Sequence, residues 1–292
     1  MERKGLLLVN GFLKGNKYDE VYSFLVDSFL KFGCKLVMKP SYEISNKVGY
    51  KPVIDKNEAD FVIFWDKDHY LAKAISDGGI RVFNNYRAVR DCDNKILTAK
   101  RLADGGVNTP KTIIAPKTFE NIGYTSFDFL KKAGDELGYP FVIKEAYGSF
   151  GEQVYLAKDH DEAVAIVKGF GGKEFLMQEF IKESCGRDIR VNVVGKSVVA
   201  SMLRVNEKDF RSNITGGGKA YATDITEKQK SAAIAALNAV NADFGGVDIL
   251  LNEGEPMVCE VNASMHFVST FNATGVNVAD YIAEYVIKEI YG

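Results

Sequence analysis

The chain has 292 residues, 46% of them hydrophobic and 26% charged, which is typical of a soluble globular protein with room for two or three lobes. Its 37 basic and 39 acidic residues give a net charge of −2 without a basic cluster, which disfavours a nucleic-acid-binding surface. The apolar runs are far shorter than the roughly 18 residues of a membrane-spanning helix, so we expect no membrane partner. The four cysteines lack the close spacing of zinc or redox sites, which indicates reduced thiols and a cytoplasmic protein.

The first third of the sequence alternates short apolar strands with helical patterns. Strands are predicted at 6–9, 34–38, 61–65 and 80–83. This alternation predicts a parallel sheet with helices on both faces. In such sheets ligands gather beyond the carboxyl ends of the strands, so the loop 10–15 is either a substrate edge or an ordinary connection.

From residue 92 the pattern becomes that of a small α+β lobe. Strands are predicted at 112–115, 141–144, 154–157 and 174–180, with two helices that end at glycines. The turn that carries Gly148 and Gly151 suits either backbone contacts to phosphate or a plain connection. Lys144 ends an apolar strand four residues before this turn, and it is either a phosphate ligand or a lysine that reaches solvent.

The last third is mostly antiparallel. Segments 187–194 and 197–204 flank Gly195-Lys196, which predicts a hairpin. Thr226 with Gln229 forms a capping box that begins a helix, and a final helix is predicted from Asn277.

Two β-branched segments near the C-terminus flank turn residues and predict a second hairpin: 246–251 and 257–262. Side chains alternate faces along a strand, so Glu260 and Asn262 share a face, and Asp248 joins them only if the loop has an odd number of residues. A three-residue loop at 252–254 satisfies that parity and sets Gly246 opposite Glu260, with Asp248 diagonally beside it. These oxygen ligands suit magnesium held between carboxylates and phosphates, and the alternative is a solvated sheet face.

The order and spacing of these segments resemble the ATP-grasp superfamily, most closely its RimK-like group of amino-acid (glutamate) ligases. The resemblance runs from about residue 84 to residue 290 and rests on Lys95 fifteen residues before Pro110, and on 140–144, 148–151, 178–181, 186–190, 209–213, 246–248 and 260–262. It implies a mixed α/β and α+β fold, an ATP-grasp fold with an N-terminal Rossmann-like lobe, a small central lid lobe and a C-terminal antiparallel-sheet lobe. The corresponding domains are residues 1–94, 95–181 and 182–292.

The resemblance also implies roles for individual residues. ATP would be bound by Lys95, Lys144, Gly148, Ser149, Gly151, Glu179, Phe180, Ile181 and Asp188, with the lysines on the phosphates, residues 179–181 on adenine and the aspartate on ribose. Mg²⁺, or Mn²⁺ in its place, would be held by Asp248, Glu260 and Asn262. Charge on the transferring phosphoryl group and the acyl phosphate would be stabilised by Arg204, Arg211 and Asn213.

Three departures from the family pattern fall around the site. Gln153 stands where a further glycine is usual, which predicts a stiffer turn. Segment 265–267 replaces a common Ser-Pro-Gly, and Gly216 replaces an expected basic residue, so glutamate specificity does not carry over and we expect a substrate with an apolar or aromatic part. Arg190 and His266 are the candidate substrate contacts, and His266 either packs to support its loop or takes a proton from the attacking amine.

The function implied is an ATP- and Mg²⁺-dependent carboxylate–amine ligase. A substrate carboxylate attacks the γ-phosphate, and an amine then displaces phosphate to give an amide. The expected partners are an amino acid and a peptide or small-molecule substrate, with a homo-oligomer left open. Two alternatives remain at this point, a regulatory nucleotide-binding protein without turnover and a kinase that stops at the phosphorylated substrate.

Overall fold

Three β-sheets organise the chain, one in each third of the sequence. The computed structural model describes residues 3–52 and 54–292. Its first sheet is parallel, in the order β2-β1-β3-β4, which confirms the predicted β-α-β opening. The elements of this lobe are β1 (Arg3–Val9), α1 (Asn16–Lys31), β2 (Cys34–Pro40), β3 (Phe61–Trp65), α2 (His69–Asp77), β4 (Arg81–Phe83) and α3 (Tyr86–Asp93). All five residues of β3 are buried, as expected for a strand covered on both faces.

The second sheet is antiparallel, in the order β5-β8-β6-β7. Its lobe contains β5 (Thr112–Ile114), α5 (Asp128–Leu137), β6 (Phe141–Glu145), β7 (Val154–Ala157), α6 (His160–Lys168) and β8 (Phe175–Glu179). The preceding helix α4 (Lys95–Asp104) instead places Leu102 in the core of the third sheet. Phe141, Ile143, Phe175 and Met177 of the central strands form its core with Leu130 of α5. The predicted glycine turn connects β6 with β7.

The third sheet is also antiparallel, in the order β11-β10-β9-β12-β13. The elements are β9 (Arg187–Val194), β10 (Ser197–Val205), β11 (Lys219–Ala222), α7 (Glu227–Ala239), β12 (Phe244–Leu250), β13 (Met257–Asn262), α8 (Val268–Thr274) and α9 (Val278–Tyr291). The predicted capping box of Thr226 and Gln229 begins α7. Asn277 caps α9, as predicted.

The register predicted for the β12–β13 hairpin is wrong by two residues. Gly246 lies opposite Asn262, and Asp248 lies directly opposite Glu260. The connection is longer than the predicted three residues, and an irregularity beyond Asp248 shifts the pairing by one. Because side chains alternate with a period of two, the two-residue error preserves the face. Asp248, Glu260 and Asn262 therefore share one face, as predicted.

The C-terminal helix returns to the first lobe. Ser28 of α1 donates to Asp280 of α9 at 2.8 Å, and Asn277 donates to Ser28 at 3.1 Å. Phe24 of α1 packs edge-on against Phe267. The first and third sheets thus share one apolar core, and the domain division after residues 94 and 181 remains a prediction.

None of the helices within residues 3–52 and 54–292 combines the length and the apolar character that crossing a bilayer requires.

Candidate active site

A cavity of about 980 Å³ opens where the three sheets meet. Its lining includes every residue predicted to contact nucleotide, metal or substrate: Lys95, Lys144, Gly148, Ser149, Gly151, Glu179, Phe180, Ile181, Asp188, Arg190, Arg204, Arg211, Asn213, Asp248, Glu260, Asn262 and His266. This volume falls within the range of small-molecule sites. We call its two parts the charged end, around Lys144, Asp188, Arg190, Arg204 and Asp248, and the aromatic end, around Lys17, Tyr18, Tyr22, Trp65 and His266.

Lys144 is a buried cation at the charged end. It lies on β6, where all five residues are buried, so its side chain cannot reach solvent as a surface lysine would. Its Nζ donates to Gln178 Oε1 at 2.6 Å and lies 3.2 Å from Cys259 Sγ. Burial alone would lower the pKa of Lys144, but Cys259, Glu260 and Asp248 outweigh it and the pKa is raised. The side chain is therefore a protonated group able to bind an anion.

Side chains from two other segments of the chain hold the glycine turn. Lys95 Nζ donates to the carbonyl of Gly148 at 3.0 Å, and Arg211 Nη1 donates to the carbonyl of Gly151 at 2.6 Å. Gly151 has φ +80°, and a Cβ there would lie 2.5 Å from Asn213 Oδ1, so both conformation and space require glycine. The turn thus lies against two of the residues implied to stabilise phosphoryl charge.

The side chain of Gln153 forms a hydrogen bond within the glycine turn. Its Oε1 accepts from the backbone N–H of Ser149 at 3.2 Å. A Cβ on Gly148, which has φ +147°, would lie 2.3 Å from the same oxygen. The side chain that replaces the usual glycine therefore occupies one of the N–H groups of the turn, and this bond supplies the physical basis for the predicted stiffness.

Four buried charges alternate in sign across β10, β9 and β12. Asp188 lies opposite Arg204, and Arg190 lies opposite Asp248. Arg204 donates to both oxygens of Asp188, at 2.7 and 2.5 Å, and lies 3.0 Å from Asp248. Arg190 holds both oxygens of Asp248, one of them at 2.8 Å. Buried charges persist when they are paired in this way.

The pairing sets the ionisation of the network. Burial would raise the pKa of Asp248, but Arg190 and Arg204 hold it below its usual range. Burial would likewise lower the pKa of Arg204, but Asp188 and Asp248 raise it. Gly246 leaves room for this arrangement, since a Cβ there would lie 2.9 Å from Cδ of Arg190. Asp188, implied to bind ribose, therefore lines the cavity with its carboxylate already engaged by Arg204.

The oxygens of Glu260 and Asn262 fit magnesium shared with a phosphate, whereas Asp248 can join them only by exchanging one of its arginine partners for the ion. Within the described residues, no group of three or more His, Cys, Asp and Glu side chains is assembled to hold a metal. Here two carboxylates, Asp248 and Glu260, face each other across adjacent strands, and the amide of Asn262 lies on the same face. Few protein oxygens, with the remaining positions left to water and phosphate, are what Mg²⁺ prefers.

The connection after β8 forms the wall between the second and third sheets. Glu179 Oε1 accepts from the backbone N–H of Lys111 at 2.6 Å, which orients the end of this strand. The ring of Phe180 packs edge-on against that of Phe210, with centroids 6.4 Å apart. This apolar surface, next to the exposed backbone of a strand end, suits a flat aromatic base.

The aromatic end is built from segments that sequence reasoning largely missed. Lys17, Tyr18 and Tyr22 of α1 line it together with Trp65 at the end of β3. The only signal was the rule that ligands lie beyond strand carboxyl ends, which placed the loop 10–15 at a substrate edge. Two residues of that loop do line the cavity, Asn10 and Leu13.

His266 is held at the aromatic end in a defined tautomer. Its Nε2 lies 3.0 Å from the carbonyl oxygen of Lys17. A carbonyl only accepts, so Nε2 carries the proton and the neutral ring keeps its lone pair on Nδ1. Burial lowers the pKa of His266 more than the bond to the Lys17 carbonyl raises it. The His266 side chain therefore donates a hydrogen bond to α1 and keeps Nδ1 as a proton acceptor.

Residues 92–286 match the family model of the RimK-like ATP-grasp domain. The chain belongs to the RimK-like ATP-grasp family. Among its relatives, this RimK-like chain is 37% identical over 213 residues to the "Probable alpha-L-glutamate ligase" of Maridesulfovibrio salexigens, covering 72% of the chain and 68% of that protein. It is 33% identical over 226 residues to the "Beta-citrylglutamate synthase B" of Danio rerio, covering 76% of the chain and 54% of that protein. The chain thus spans about half the length of the latter.

The fold extends the similarity to nearly the whole chain. The RimK domain ATP-grasp protein from Sphaerobacter thermophilus superposes with a TM-score of 0.73 over 98% of this RimK-like chain and 99% of that one, at 20% identity. The predicted family and the predicted ATP-grasp fold are both confirmed.

Proposed function

We propose that the protein is an ATP- and Mg²⁺-dependent carboxylate–amine ligase that forms an amide through an acyl phosphate. It would add an amino acid to a peptide or small-molecule acceptor. The observation that carries this proposal is the one cavity in which Lys95, Lys144, a glycine turn and three oxygen donors converge from α4 and the second and third sheets. Membership of the RimK-like ATP-grasp family supports it.

At the charged end, the protonated Lys144, together with Lys95, would neutralise the phosphates of ATP. The turn at 148–151 would close over them, with Ser149 among its contacts. The strand end at 179–181 would meet adenine, and Asp188 would accept the ribose hydroxyls while Arg204 holds it in place. These contacts would orient the γ-phosphate toward the rest of the cavity.

Asp248, Glu260 and Asn262 would hold Mg²⁺, or Mn²⁺ in its place. When bound, the ion supplies positive charge to the phosphate oxygens. Arg204 uses Nε and Nη2 on Asp188 and Asp248, which leaves Nη1 for an oxyanion. Arg211 and Asn213, which already lie against the turn, would add donors to the transferring phosphoryl group.

The substrate carboxylate would attack the γ-phosphate, and an amine would then displace phosphate from the acyl phosphate. An amine is nucleophilic only with a free lone pair, so a proton must leave it. We assign that role to Nδ1 of His266, and Arg190 to contact with the substrate, with packing as the alternative role of His266. Glutamate belongs among the first amino acids to test because two relatives are named for it.

We place the protein in the cytoplasm, since all four cysteines are free thiols and two of them are buried.

The proposal is tested with purified protein, ATP and Mg²⁺, and pooled amino acids, dicarboxylates and short peptides. We expect ADP release only when a matching carboxylate and amine are both present, an amide by mass spectrometry, and an acyl hydroxamate when hydroxylamine replaces the amine. Nucleotide binding without ADP release under any pool would indicate a regulatory protein. A phosphorylated substrate that accumulates beside the amine would indicate a kinase.

A further inference from the structure

Lys17 is a cation of the aromatic end without an acidic partner. Its Nζ lies 3.2 Å from the ring centroid of Phe150 and 5.9 Å from that of Tyr18. Across the described residues, no carboxylate lies within salt-bridge distance of this ammonium group. The contrast with Lys67 is direct, because Lys67 pairs with Asp93 at 2.6 Å.

Of the acids near this end, Asp66 is already engaged, whereas Glu152 lies near Lys17 without contacting its ammonium group. Buried Asp66 accepts from Asn10 Nδ2 at 3.0 Å, from the backbone N–H of Lys67 at 2.6 Å and from the hydroxyl of Ser41. Burial lowers the pKa of Lys17, and the nearby Glu152 offsets this only in part. A partly desolvated ammonium group without a counter-ion is stabilised by any anion that binds beside it.

Two other cations of the cavity are paired, Lys67 with Asp93 and Arg190 with Asp248. The lining also includes the uncharged side chains of Asn213, Ile214 and Thr215, and Gly216 carries no side chain. The surfaces around Lys17 are apolar rings and chains, including those of Tyr22, which is 6% exposed, and Met265, which is 1% exposed. A ligand there meets the ammonium group of Lys17 in largely apolar surroundings, with the paired Arg190 as a second cation near His266.

Lys17 and His266 are also adjacent, since the Lys17 carbonyl accepts the Nε2 proton of His266 at 3.0 Å. The amino and carboxylate groups of an α-amino acid are separated by one carbon. The ammonium group of Lys17 also acts electrostatically on the His266 ring, so the two groups suit that pair, with His266 at the amine and Lys17 at the carboxylate. Phe150, which has φ +59°, lies over Lys17, so the glycine turn covers the same place.

We propose that Lys17 binds the unreacted carboxylate of the amine substrate, which is an α-amino acid with an apolar or aromatic side chain held among Tyr18, Tyr22 and Trp65. This inference rests on the proposed function and names the substrate class of the same site. Lys17 acts in it as a specificity-determining residue, because recognition of the carboxylate excludes amines that lack one.

The test compares L-phenylalanine, L-leucine and L-glutamate with their α-amides as amine substrates, with ADP release as the measurement. The variants are Lys17→Met, which keeps the apolar stem, and Lys17→Arg, which restores the charge. Lys14→Met is the matched control, since Lys14 is exposed in the same segment. We expect wild type to prefer the free acids, and Lys17→Met to raise their KM about tenfold or more with a smaller change in kcat.

Lys17→Met should also lose the preference for acid over amide, while Lys17→Arg regains it and Lys14→Met behaves as wild type. An unchanged KM, or an equal loss for acid and amide, would overturn the assignment of Lys17 and leave the ligase proposal standing. If wild type releases no ADP with any pool, the ligase proposal fails, and calorimetric titration of L-phenylalanine and its amide then decides the inference. Equal affinities in wild type and Lys17→Met, or no binding to wild type, would overturn it.

Discussion

The charged end and the aromatic end of the cavity differ in how their charged side chains are paired. At the charged end, ionised groups project from paired strands and neutralise one another, as Arg190 and Asp248 do across β9 and β12. At the aromatic end, one ammonium group stands among rings contributed by a helix and a strand end. The arginines and aspartates of the first arrangement pair with one another, whereas among the described residues no carboxylate contacts the Lys17 ammonium group of the second.

This difference indicates that the two ends of the cavity have different functions. In a network of paired charges, one side chain can leave its partner and bind a phosphate while the other charges stay paired. Such a network suits a reactant that every member of the family shares. A single cation in apolar surroundings discriminates strongly between ligands, because an unpaired charge there is costly. We infer that the charged end serves the chemistry and the aromatic end serves the choice of substrate.

The largest expected effect follows from Glu260→Gln at the charged end. Glu260 faces Asp248 but belongs to no ion pair among the described residues, so the substitution removes one negative charge while Lys144 keeps Asp248 as a nearby carboxylate. We expect ADP formation to fall by at least about a hundredfold with the midpoint of urea unfolding unchanged. Glu255→Gln, on the exposed turn of the same hairpin, is the control and should keep its activity. Near-normal turnover in Glu260→Gln would remove the hairpin from the metal site.

Asp248→Asn, by contrast, should damage the fold as well. The carboxylate of Asp248 is the shared partner of Arg190 and Arg204, both nearly inaccessible to solvent. Removing one partner from a buried charge network typically costs about 3–5 kcal/mol, so we expect a loss of that order in the free energy of unfolding. Urea denaturation of both variants measures the difference. Equal stability of Asp248→Asn and Glu260→Gln would show that the arginines are not held by Asp248.

The same contrast explains what could be predicted from sequence. Strand alternation predicts that Asp248, Glu260 and Asn262 share one face of the hairpin. This prediction holds despite the register error, because the error was two residues. The pairing of Arg190 with Asp248 depends on which strands are neighbours, which alternation does not fix. The contact between His266 and Lys17 joins residues 249 positions apart, so only the folded chain brings it into view.

At the aromatic end, His266→Gln should reduce amide formation by about tenfold or more while ATP binding stays unchanged. Because burial lowers the pKa of His266, the ring is neutral near pH 7, and activity should fall as acidification protonates it. Amide yield and hydroxylamine trapping measured between about pH 6 and pH 8 separate the two steps. Glutamine preserves a donor to the Lys17 carbonyl but lacks the basic nitrogen. A normal amide yield across this range would assign His266 to packing.

The smallest effect concerns the glycine turn, which touches both ends through Lys17 with Phe150 and through Arg211 with Gly151. Gln153→Gly removes the bond to the Ser149 N–H, worth about 1 kcal/mol, so amide exchange over residues 148–154 should quicken by about fivefold in the free protein. Saturating ATP with Mg²⁺ should protect the turn in both proteins, because the ligand holds it closed whichever residue occupies position 153. Hydrogen exchange followed by mass spectrometry measures this, with β8 as the internal reference.

Identical exchange in the two free proteins would show that Gln153 does not stiffen the turn. Unchanged exchange with nucleotide would show that the turn is not a lid. If both expectations hold, the turn is the element through which a nucleotide at the charged end organises Phe150 over Lys17 at the aromatic end.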